Sequence, residues 1–308
     1  MIRHFTILYV LLLCIACKQH KKYADKRDTP KQGTIYISVD ESFKPIIEEQ
    51  IKVYQSSNPD AHIIATYKPE AACLKDLMYD SIRMVITTKG LTLDEEKFYN
   101  QKLEYTPSFG LLALDAVVAI VTKNARDTHF SIAQLQQFVQ GNDTSKQIIL
   151  DGLSATSTVR YVLDSLAKEH KLGSNVGAAK NSTDLIHYVS THENAVGLLG
   201  LSWVGDMDTS SEKTLSNIKI AKILCQRCNT STYINPTPIN IKQHTYPMVR
   251  GLFYILKENA TGLGTGFVNF MSLERGQLIF RRAYLVPAKI SFDVRKVMMN
   301  SSPNLKKT

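Results

Sequence analysis

The segment Ala116-Val117-Val118-Ala119-Ile120-Val121-Thr122 is a long apolar run in the middle of the chain. It is rich in β-branched residues, which pack well on a pleated surface. An uninterrupted run of this kind predicts a strand that is buried on both faces, as in a parallel sheet covered by helices.

Strand-like and helix-like stretches alternate on either side of it. The first predicted helix has Asp40 or Ser42 as its N-cap and Pro45 in its first turn. Strands are predicted near 34–39, 62–67, 84–88, 147–150, 195–201, 218–224 and 249–256, and helices near 46–54, 75–79, 131–140, 157–171, 183–190 and 266–275. This alternation predicts an α/β fold with mostly parallel sheets.

The chain has 308 residues and a formal net charge of +9, and this charge is concentrated at its ends. Residues 17–32 carry six basic and two acidic residues, residues 281–308 carry seven basic and one acidic, and residues 33–280 sum to −2. A nucleic-acid-binding protein would carry a basic stripe on its folded body, so that class is disfavoured. The length exceeds what one hydrophobic core usually supports, which predicts two lobes.

The first residues have the features of a secretory signal. A basic start is followed by the apolar run 5–16, which is too short to span a bilayer, and then by Cys17. We predict a signal peptide over 1–16 and a polar tether over 17–32. The segment Cys14-Ile15-Ala16-Cys17 resembles a bacterial lipobox, which implies lipidation of Cys17. This predicts a protein on the periplasmic face of a bacterial cell envelope, held to the membrane by its N-terminal lipid. An ordinary secreted protein cleaved nearby and a short N-terminal anchor are the alternatives.

Three places where a predicted strand meets a helix or loop carry hydroxyl side chains. The most informative is 150–160 (LDGLSATSTVR), and 38–42 and 87–89 have similar chemistry. Unpaired N–H groups and hydroxyls at a helix start form a cradle for an oxyanion, and Arg160 adds a charged donor. The alternative is that Ser154 or Thr156 only caps the helix.

The five cysteines are interpreted from their spacing and the expected compartment. Cys225 and Cys228 form a C-x-x-C pair, for which we predict a local disulfide, because extracytoplasmic proteins permit disulfides. A metal site that also uses His244 and Cys73, and a redox role, are the alternatives. No paired carboxylates or Ser/His/Asp spacing point to catalysis, so neither an enzyme nor a cofactor or metal requirement is predicted.

Four segments carry motifs of one known family: 151–160 (DGLSATSTVR), 194–201 (NAVGLLGL), 246–254 (YPMVRGLFY), and Gly276-Gln277 with 284–287 (YLVP). Together they resemble the phosphate-binding proteins of ABC transporters, over essentially all of 33–290. The residues 151–160 resemble the family's Gly-Ser-Gly-Thr phosphate loop, and 194–201 (NAVGLLGL) is similar to its Ala-Ile-Gly-Tyr strand. The segment 246–254 (YPMVRGLFY) is similar to its Tyr-Pro-x-x-Arg-x-Leu-Tyr return strand. Gly276-Gln277 followed by 284–287 (YLVP) is similar to its C-terminal Gly-Gln to Gly-Phe-Val-Pro segment.

The resemblance implies a type II periplasmic binding protein, with two α/β lobes joined by two crossover strands and a ligand cleft between them. Lobe I would comprise 33–110 and 235–308, and lobe II 111–234, with crossovers near 105–114 and 233–241. The implied function is capture of an oxyanion, inorganic phosphate in particular, for delivery to an ABC transporter permease. The residues implied to bind the anion are Glu41, Ser42, Thr87, Thr88, Thr156, Ser157 and Thr158, to which the 150–160 junction adds Arg160.

Two departures from the family pattern affect the expected ligand. The first loop is acidic, with Asp40 and Glu41 in place of small residues. The family's aspartate in the second loop, which accepts the proton of hydrogen phosphate, has no clear equivalent unless Asp80 reaches the site. The alternative function is therefore an anion-sensing or surface interaction protein that retains the fold without transport.

Overall fold

The computed structural model describes residues 28–152, 156–167, 169, 171–205 and 214–289. The predicted signal peptide, Cys17 and most of the tether lie outside these residues, as do Ser154 and the C-terminal tail. Within the described part of the chain, no helix is long and apolar enough to cross a membrane.

The last five residues of the predicted tether, 28–32, contact the folded body. The Asp28 carboxylate accepts a hydrogen bond of 2.9 Å from the backbone N–H of Leu263. The hydroxyl of Tyr54 donates to the carbonyl of Pro30. Any free tether therefore ends before Asp28.

Thirteen strands are numbered in chain order over the described residues. They are β1 (Gly33–Asp40), β2 (Ala61–Lys68), β3 (Ile82–Thr87), β4 (Ser108–Thr122), β5 (His129–Phe130), β6 (Gln147–Leu150), β7 (Val176–Ala178), β8 (Ala195–Gly200), β9 (Ile218–Ile220), β10 (Lys222–Leu224), β11 (Tyr233–Ile234), β12 (Val249–Leu256) and β13 (Val286–Pro287). Ten of them form one sheet in the order β2-β1-β3-β12-β4-β8-β6-β7, with β9 and β13 paired to β4. The remaining three form a small sheet in the order β11-β10-β5.

The apolar run that begins at Ala116 is the buried second half of β4, as predicted, but its neighbours are not parallel. Strands β12, β8, β9 and β13 all pair with β4 in the antiparallel sense. Parallel pairs occur to either side, between β1 and both β2 and β3, and between β6 and both β7 and β8. The prediction of a parallel environment was wrong because β4 carries the chain from one half of the sheet to the other, while β12 carries it back.

Nine α-helices accompany the strands in the described residues. They are α1 (Lys44–Ser57), α2 (Glu70–Asp76), α3 (Leu93–Leu103), α4 (Ile132–Gln140), α5 (Ser157–Ser165), α6 (Ser182–Thr191), α7 (Pro238–Lys242), α8 (Leu263–Ser272) and α9 (Glu274–Arg282). Helix α4 agrees closely with its predicted bounds because both its ends are encoded locally. Ser131 and Gln134 form a capping box, and Gly141 ends the helix with φ of 74°.

Several predicted elements differ from the structure. The helix expected over 157–171 ends at Ser165, and the strand expected over 218–224 is divided into β9 and β10, which belong to different sheets. The helix expected over 75–79 begins earlier, at Glu70 directly after Pro69. The helix expected over 266–275 is divided into α8 and α9 at Leu273, whose backbone is extended. The second crossover expected near 233–241 contains only the short elements β11 and α7, and the long strand beside β4 is β12.

Buried apolar side chains form two large clusters that meet along β4. The first, which includes Ile37 and Leu112, lies between β1 to β3, α1, α8 and α9. The second, which includes Ile120 and Leu135, lies among β4, β6, β8, α4 and α6. The molecule is therefore a two-lobed α/β protein, which confirms the predicted fold class, while the exact lobe limits stay a prediction.

The C-terminal motifs hold the lobes at their junction. The hydroxyl of Tyr246, which is fully buried, donates to the carbonyl of Val117 at 3.0 Å. The amide of Gln277 donates to the carbonyls of Leu112 (3.1 Å) and Met271 (2.7 Å). A Cβ on Gly276 would lie 2.3 Å from a backbone oxygen, so only glycine fits there.

Candidate functional site

Four hydroxyl groups from both lobes converge on the carboxylate of Asp151, which is only 1% exposed. The carboxylate accepts hydrogen bonds from Ser42 (3.4 Å), Thr156 (3.2 Å), Thr158 (3.1 Å) and Ser182 (3.3 Å). We refer to these five residues as the Asp151 cluster. Because Ser42 follows β1 and the others follow β6 or begin α6, the cluster joins the two lobes across the cleft.

Local capping explains how the chain presents these hydroxyls. The Asp40 carboxylate accepts from the backbone N–H of Ser42 (3.1 Å) and so begins a short 3-10 turn after β1. Thr156 is the N-cap of α5 and accepts from the N–H of Val159 at 3.1 Å. Asn181 caps α6 in the same way. The sequence left open whether Thr156 binds an anion or caps a helix; its hydroxyl accepts as a cap and also donates to Asp151.

Arg250 on β12 is the buried cation beside this cluster. Its Nε donates to Asp115 at 2.8 Å, and its Nη1 donates to Ser157 (2.9 Å) and Thr158 (3.2 Å). Space for the guanidinium comes from Gly200 on β8, because a Cβ there would lie 2.8 Å from Nη2 of Arg250. Arg250 lies in the segment that resembles the family's return strand and was not among the residues predicted to bind the anion, but the structure brings it to the site as well.

Three buried carboxyl groups face this single arginine. Burial raises the pKa of Asp151 to about 7 and that of Asp40 to about 6, and it also raises the pKa of Asp115. The charge of Arg250 opposes each of these shifts, and Asp40 adds to the shift of Asp151. Near neutral pH, some of these carboxyl groups therefore retain a proton, which reduces the excess of negative charge around Arg250.

Some buried polar atoms in this region have no hydrogen-bond partner among the described residues. They are Oδ2 of Asp40, Oδ1 of Asp115 and Nη2 of Arg250. Buried polar atoms are nearly always paired in folded proteins, so unpaired ones are typical of positions that a water or ligand satisfies.

A second polar network connects the lobes next to the Asp151 cluster. The Nε of Arg160 on α5 donates to Glu70 on α2 at 2.6 Å, and its Nη2 donates to Thr88 at 2.6 Å. Glu70 also accepts from the backbone N–H of Thr88 at 2.9 Å. Burial alone would raise the pKa of Glu70, but the hydrogen bonds from Arg160 and Thr88 hold it below its usual value. Arg160, predicted as an anion donor, thus forms an ion pair between the lobes.

Of the remaining predicted site residues, Ser157 contacts the Asp151 cluster and the others lie apart from both networks. The Thr87 hydroxyl donates to the carbonyl of Lys89 at 3.0 Å. Glu41 lines the open part of the cleft, and Asp80 is exposed at the surface. Ser157 belongs with the cluster, since its hydroxyl donates to that of Ser42 at 3.2 Å.

An open cavity of about 380 Å³ lies between the lobes beside the Asp151 cluster. The indole N–H of Trp203 donates to the carbonyl of Ser42 at 2.8 Å, so the orientation of this wall is fixed. The lining residues come from α1 and the turn before it, β2, the start of α6 and the turn after β8: Glu41, Lys44, Tyr67, Asn181, Ser182, Thr183, Asp184 and Trp203.

The described cysteines form one disulfide and one free thiol, and none of them lines the cleft cavity. Cys225 and Cys228 are joined by a disulfide, and Cys73 is a free buried thiol. Within the described residues, no group of three or more His, Cys, Asp or Glu side chains is arranged to hold a metal ion.

Two lobes with a polar cleft between them define the class as a binding protein of the type II fold. Residues 24–274 match the family described as the PBP superfamily domain, which is most of the chain, and the chain belongs to this family. The family binds solutes and is not enzymatic. No curated protein matches the sequence.

Solved structures with the same fold have low sequence identity to this chain. A protein of Clostridium perfringens, described as a phosphate ABC transporter substrate-binding protein with bound phosphate, is 19% identical at a TM-score of 0.68, over 83% of this chain and 100% of that one. A phosphate transport receptor of Vibrio cholerae is 18% identical at 0.61, over 82% and 99%. A possible phosphate-binding protein of Planctomyces limnophilus is 17% identical at 0.58, over 83% and 93%. At these identities the likeness establishes the fold.

Proposed function

We propose that the chain is a lipid-anchored, extracytoplasmic solute-binding protein that captures an oxyanion, inorganic phosphate in particular, for an ABC transporter permease. The observation that carries the proposal is the convergence of hydroxyl groups from both lobes on one buried position beside Arg250. Hydroxyl donors and a guanidinium are the groups that replace the water shell of an oxyanion. The names of the structurally similar proteins agree with a phosphate ligand.

The carboxyl of Asp151 determines how an oxyanion enters this site. When ionised, it occupies the hydroxyls of Ser42, Thr156 and Thr158 and repels a second anion. When protonated, it repels no longer and donates a hydrogen bond to an anion oxygen. Because the pKa of Asp151 is raised to about 7, we expect oxyanion affinity to increase as the pH falls through neutrality.

Lipid anchoring and delivery to a permease rest on the sequence and on family resemblance. Cys17 is the proposed lipidation site, and the residues between it and Asp28 form the proposed tether. The lobes, with approximate limits at 110 and 235, would close around the anion by hinge motion at β4 and β12. The bound form is then the one that a permease recognises.

Isothermal titration of the mature chain with phosphate and with sulfate, using Cys17→Ser protein, tests the proposal at pH 6 and pH 8. We expect Thr156→Ala and Ser157→Ala each to weaken phosphate binding. Ser131→Ala is the matched control, because Ser131 is also an N-cap hydroxyl but lies outside the cleft. The proposal is refuted if neither anion produces heat or a thermal shift at either pH.

A second candidate function is an anion-sensing or surface interaction protein that keeps the fold without transport. The observation in its favour is that Asp151 and Glu70 already accept hydrogen bonds from the hydroxyls predicted to bind the anion. Under this hypothesis these carboxylates are permanent internal partners. The absence of oxyanion binding at every pH, with Asp151→Asn unable to create it, would favour this candidate.

A further inference from the structure

The open cavity in the cleft has a chemistry that differs from that of the Asp151 cluster. The two adjoin, because Ser182 lines the cavity and also donates to Asp151. The carboxylate of Glu41 lies beside Gly152, where a Cβ would be 3.6 Å from its Oε1. At about 380 Å³, the cavity is in the range of pockets that take small organic ligands. A ligand held by the cluster would therefore have room to extend into it.

The charged groups that line this cavity are predominantly acidic. Glu41 and Asp184 supply two carboxylates, and Lys44 supplies one ammonium group. Lys44 has partners of its own, since its Nζ lies 3.8 Å from Glu48 and 5.6 Å from the ring centre of Tyr67. The Glu41 side chain is half-buried, its carboxylate makes no hydrogen bond or ion pair within the described part of the chain, and burial raises its pKa. An unpaired, half-buried carboxylate of this kind favours a cationic partner.

Aromatic side chains provide the rest of the wall. The indole of Trp203 is fixed by its hydrogen bond to the carbonyl of Ser42. Tyr67 lies on the opposite lobe, and its hydroxyl oxygen is buried without a partner among the described residues. Aromatic faces attract ammonium groups, most strongly where water is excluded. Carboxylate and aromatic groups thus occur together in the part of the cleft that lies outside the hydroxyl cluster.

We propose that the cleft ligand is a small zwitterion, such as an aminoalkyl phosphate, with its oxyanion at the Asp151 cluster and its ammonium group between Glu41 and Trp203. This inference rests on the proposed function, since it requires an oxyanion at the cluster. It goes further by assigning the acidic first loop, which is unfavourable for phosphate alone, to recognition of an amine.

Three ligands distinguish the zwitterion inference from the proposed function of oxyanion binding: inorganic phosphate, ethyl phosphate and O-phosphoethanolamine. The last two differ chiefly in the amine. We expect phosphoethanolamine to bind at least about tenfold more tightly than ethyl phosphate by calorimetry, as one charge-assisted hydrogen bond supplies. Equal affinities for these two would overturn the zwitterion inference and leave the proposed function intact. No binding of any of the three would refute both.

Glu41→Gln provides a test with opposite signs for the two ligand classes. Removal of the carboxylate should lower the affinity for phosphoethanolamine about tenfold, because its amine loses an attractive partner. The affinity for inorganic phosphate should rise, because the same change removes a negative charge that repels it. Glu49→Gln is the matched control, because Glu49 is an exposed residue of α1 that pairs with Lys52 at 3.5 Å. A parallel loss of affinity for both ligands in Glu41→Gln would indicate a merely structural role and overturn the assignment.

Discussion

Replacement of Asp151 by asparagine should stabilise the protein at alkaline pH. The side chain is buried, and its pKa in the folded protein is raised to about 7 from an ordinary value of 3.8. The stability associated with the protonated carboxyl is therefore complete below pH 3.8 and is lost as the pH rises toward 7. The difference between a pKa of 3.8 and a pKa of about 7 corresponds to a free energy of about 4 kcal/mol. Asparagine is neutral at every pH and avoids this loss.

Urea unfolding of the wild-type and Asp151→Asn proteins across pH 4 to pH 8 measures the effect. The experiment compares the unfolding free energies of the two proteins, because titrating groups that do not interact with Asp151 cancel in the difference. We expect this difference to favour Asp151→Asn increasingly with pH, by up to about 4 kcal/mol at pH 8 relative to pH 4. The site hydroxyls tolerate the amide, since each both donates and accepts.

Asp143→Asn is the control with the opposite sign. The Asp143 carboxylate is exposed and accepts from Ser145, which lowers its pKa, so its contribution is lost as the pH falls. If the difference for Asp151→Asn were flat or reversed between pH 4 and pH 8, the carboxyl would be ionised in the folded state without penalty. The account of the cluster as an acid-rich site that retains protons would then fail.

Two further outcomes are expected. Arg160→Met should destabilise the protein by about 3 kcal/mol, because it leaves the buried carboxylate of Glu70 without its ion pair. Addition of Glu70→Gln to this variant should restore most of the lost unfolding free energy, as measured by urea unfolding. If the two substitutions instead destabilised the protein additively, the ion pair would be contradicted. Replacement of both Cys225 and Cys228 by serine should lower the unfolding free energy by about 2 kcal/mol, the chain-entropy value for so short a loop. Anion affinity, measured by calorimetry, should stay unchanged. Loss of that affinity would contradict the separation of the disulfide from the cleft.

The fold could be predicted wherever local sequence and tertiary environment agree. The strand 249–256 and the helix 131–140 have patterns and boundary residues that are complete within a short window. The direction of the strands beside β4 could not be predicted, because a buried apolar run looks the same in either sense. The break at Leu273 was missed for a similar reason: no proline stands there, and Gly276, which lets α9 approach the end of α8, lies inside the second helix.

The sequence singled out most of the hydroxyls that the structure brings together, but not the charged groups beside them. Ser42, Thr156, Ser157 and Thr158 were singled out because hydroxyls at helix starts form a recognisable pattern, whereas Ser182 was not. Asp151 stood in the same segment but carried no signal of burial, since an aspartate after a strand usually lies in solvent. A charged residue at position 250 within an otherwise apolar strand was the one available sign, as such a residue requires a buried partner.

The distribution of charge explains why these missed residues bear on function. The positive charge of the chain lies mainly outside 33–280, so the cleft gains no attraction for an anion from the folded body as a whole. Around the Asp151 cluster, the buried carboxyl groups of Asp40, Asp115 and Asp151 outnumber the buried guanidinium of Arg250, and this surplus makes the site costly to fold. Buried charged groups in proteins are ordinarily paired with opposite charges, and an excess of buried carboxyl groups departs from this rule. Such departures concentrate at sites where a protein binds a ligand or reacts. The buried carboxyl groups thus distinguish this cleft from a site built of hydroxyls alone. Because they repel a bare anion, an oxyanion would bind there only together with a proton, with a cationic group, or with both.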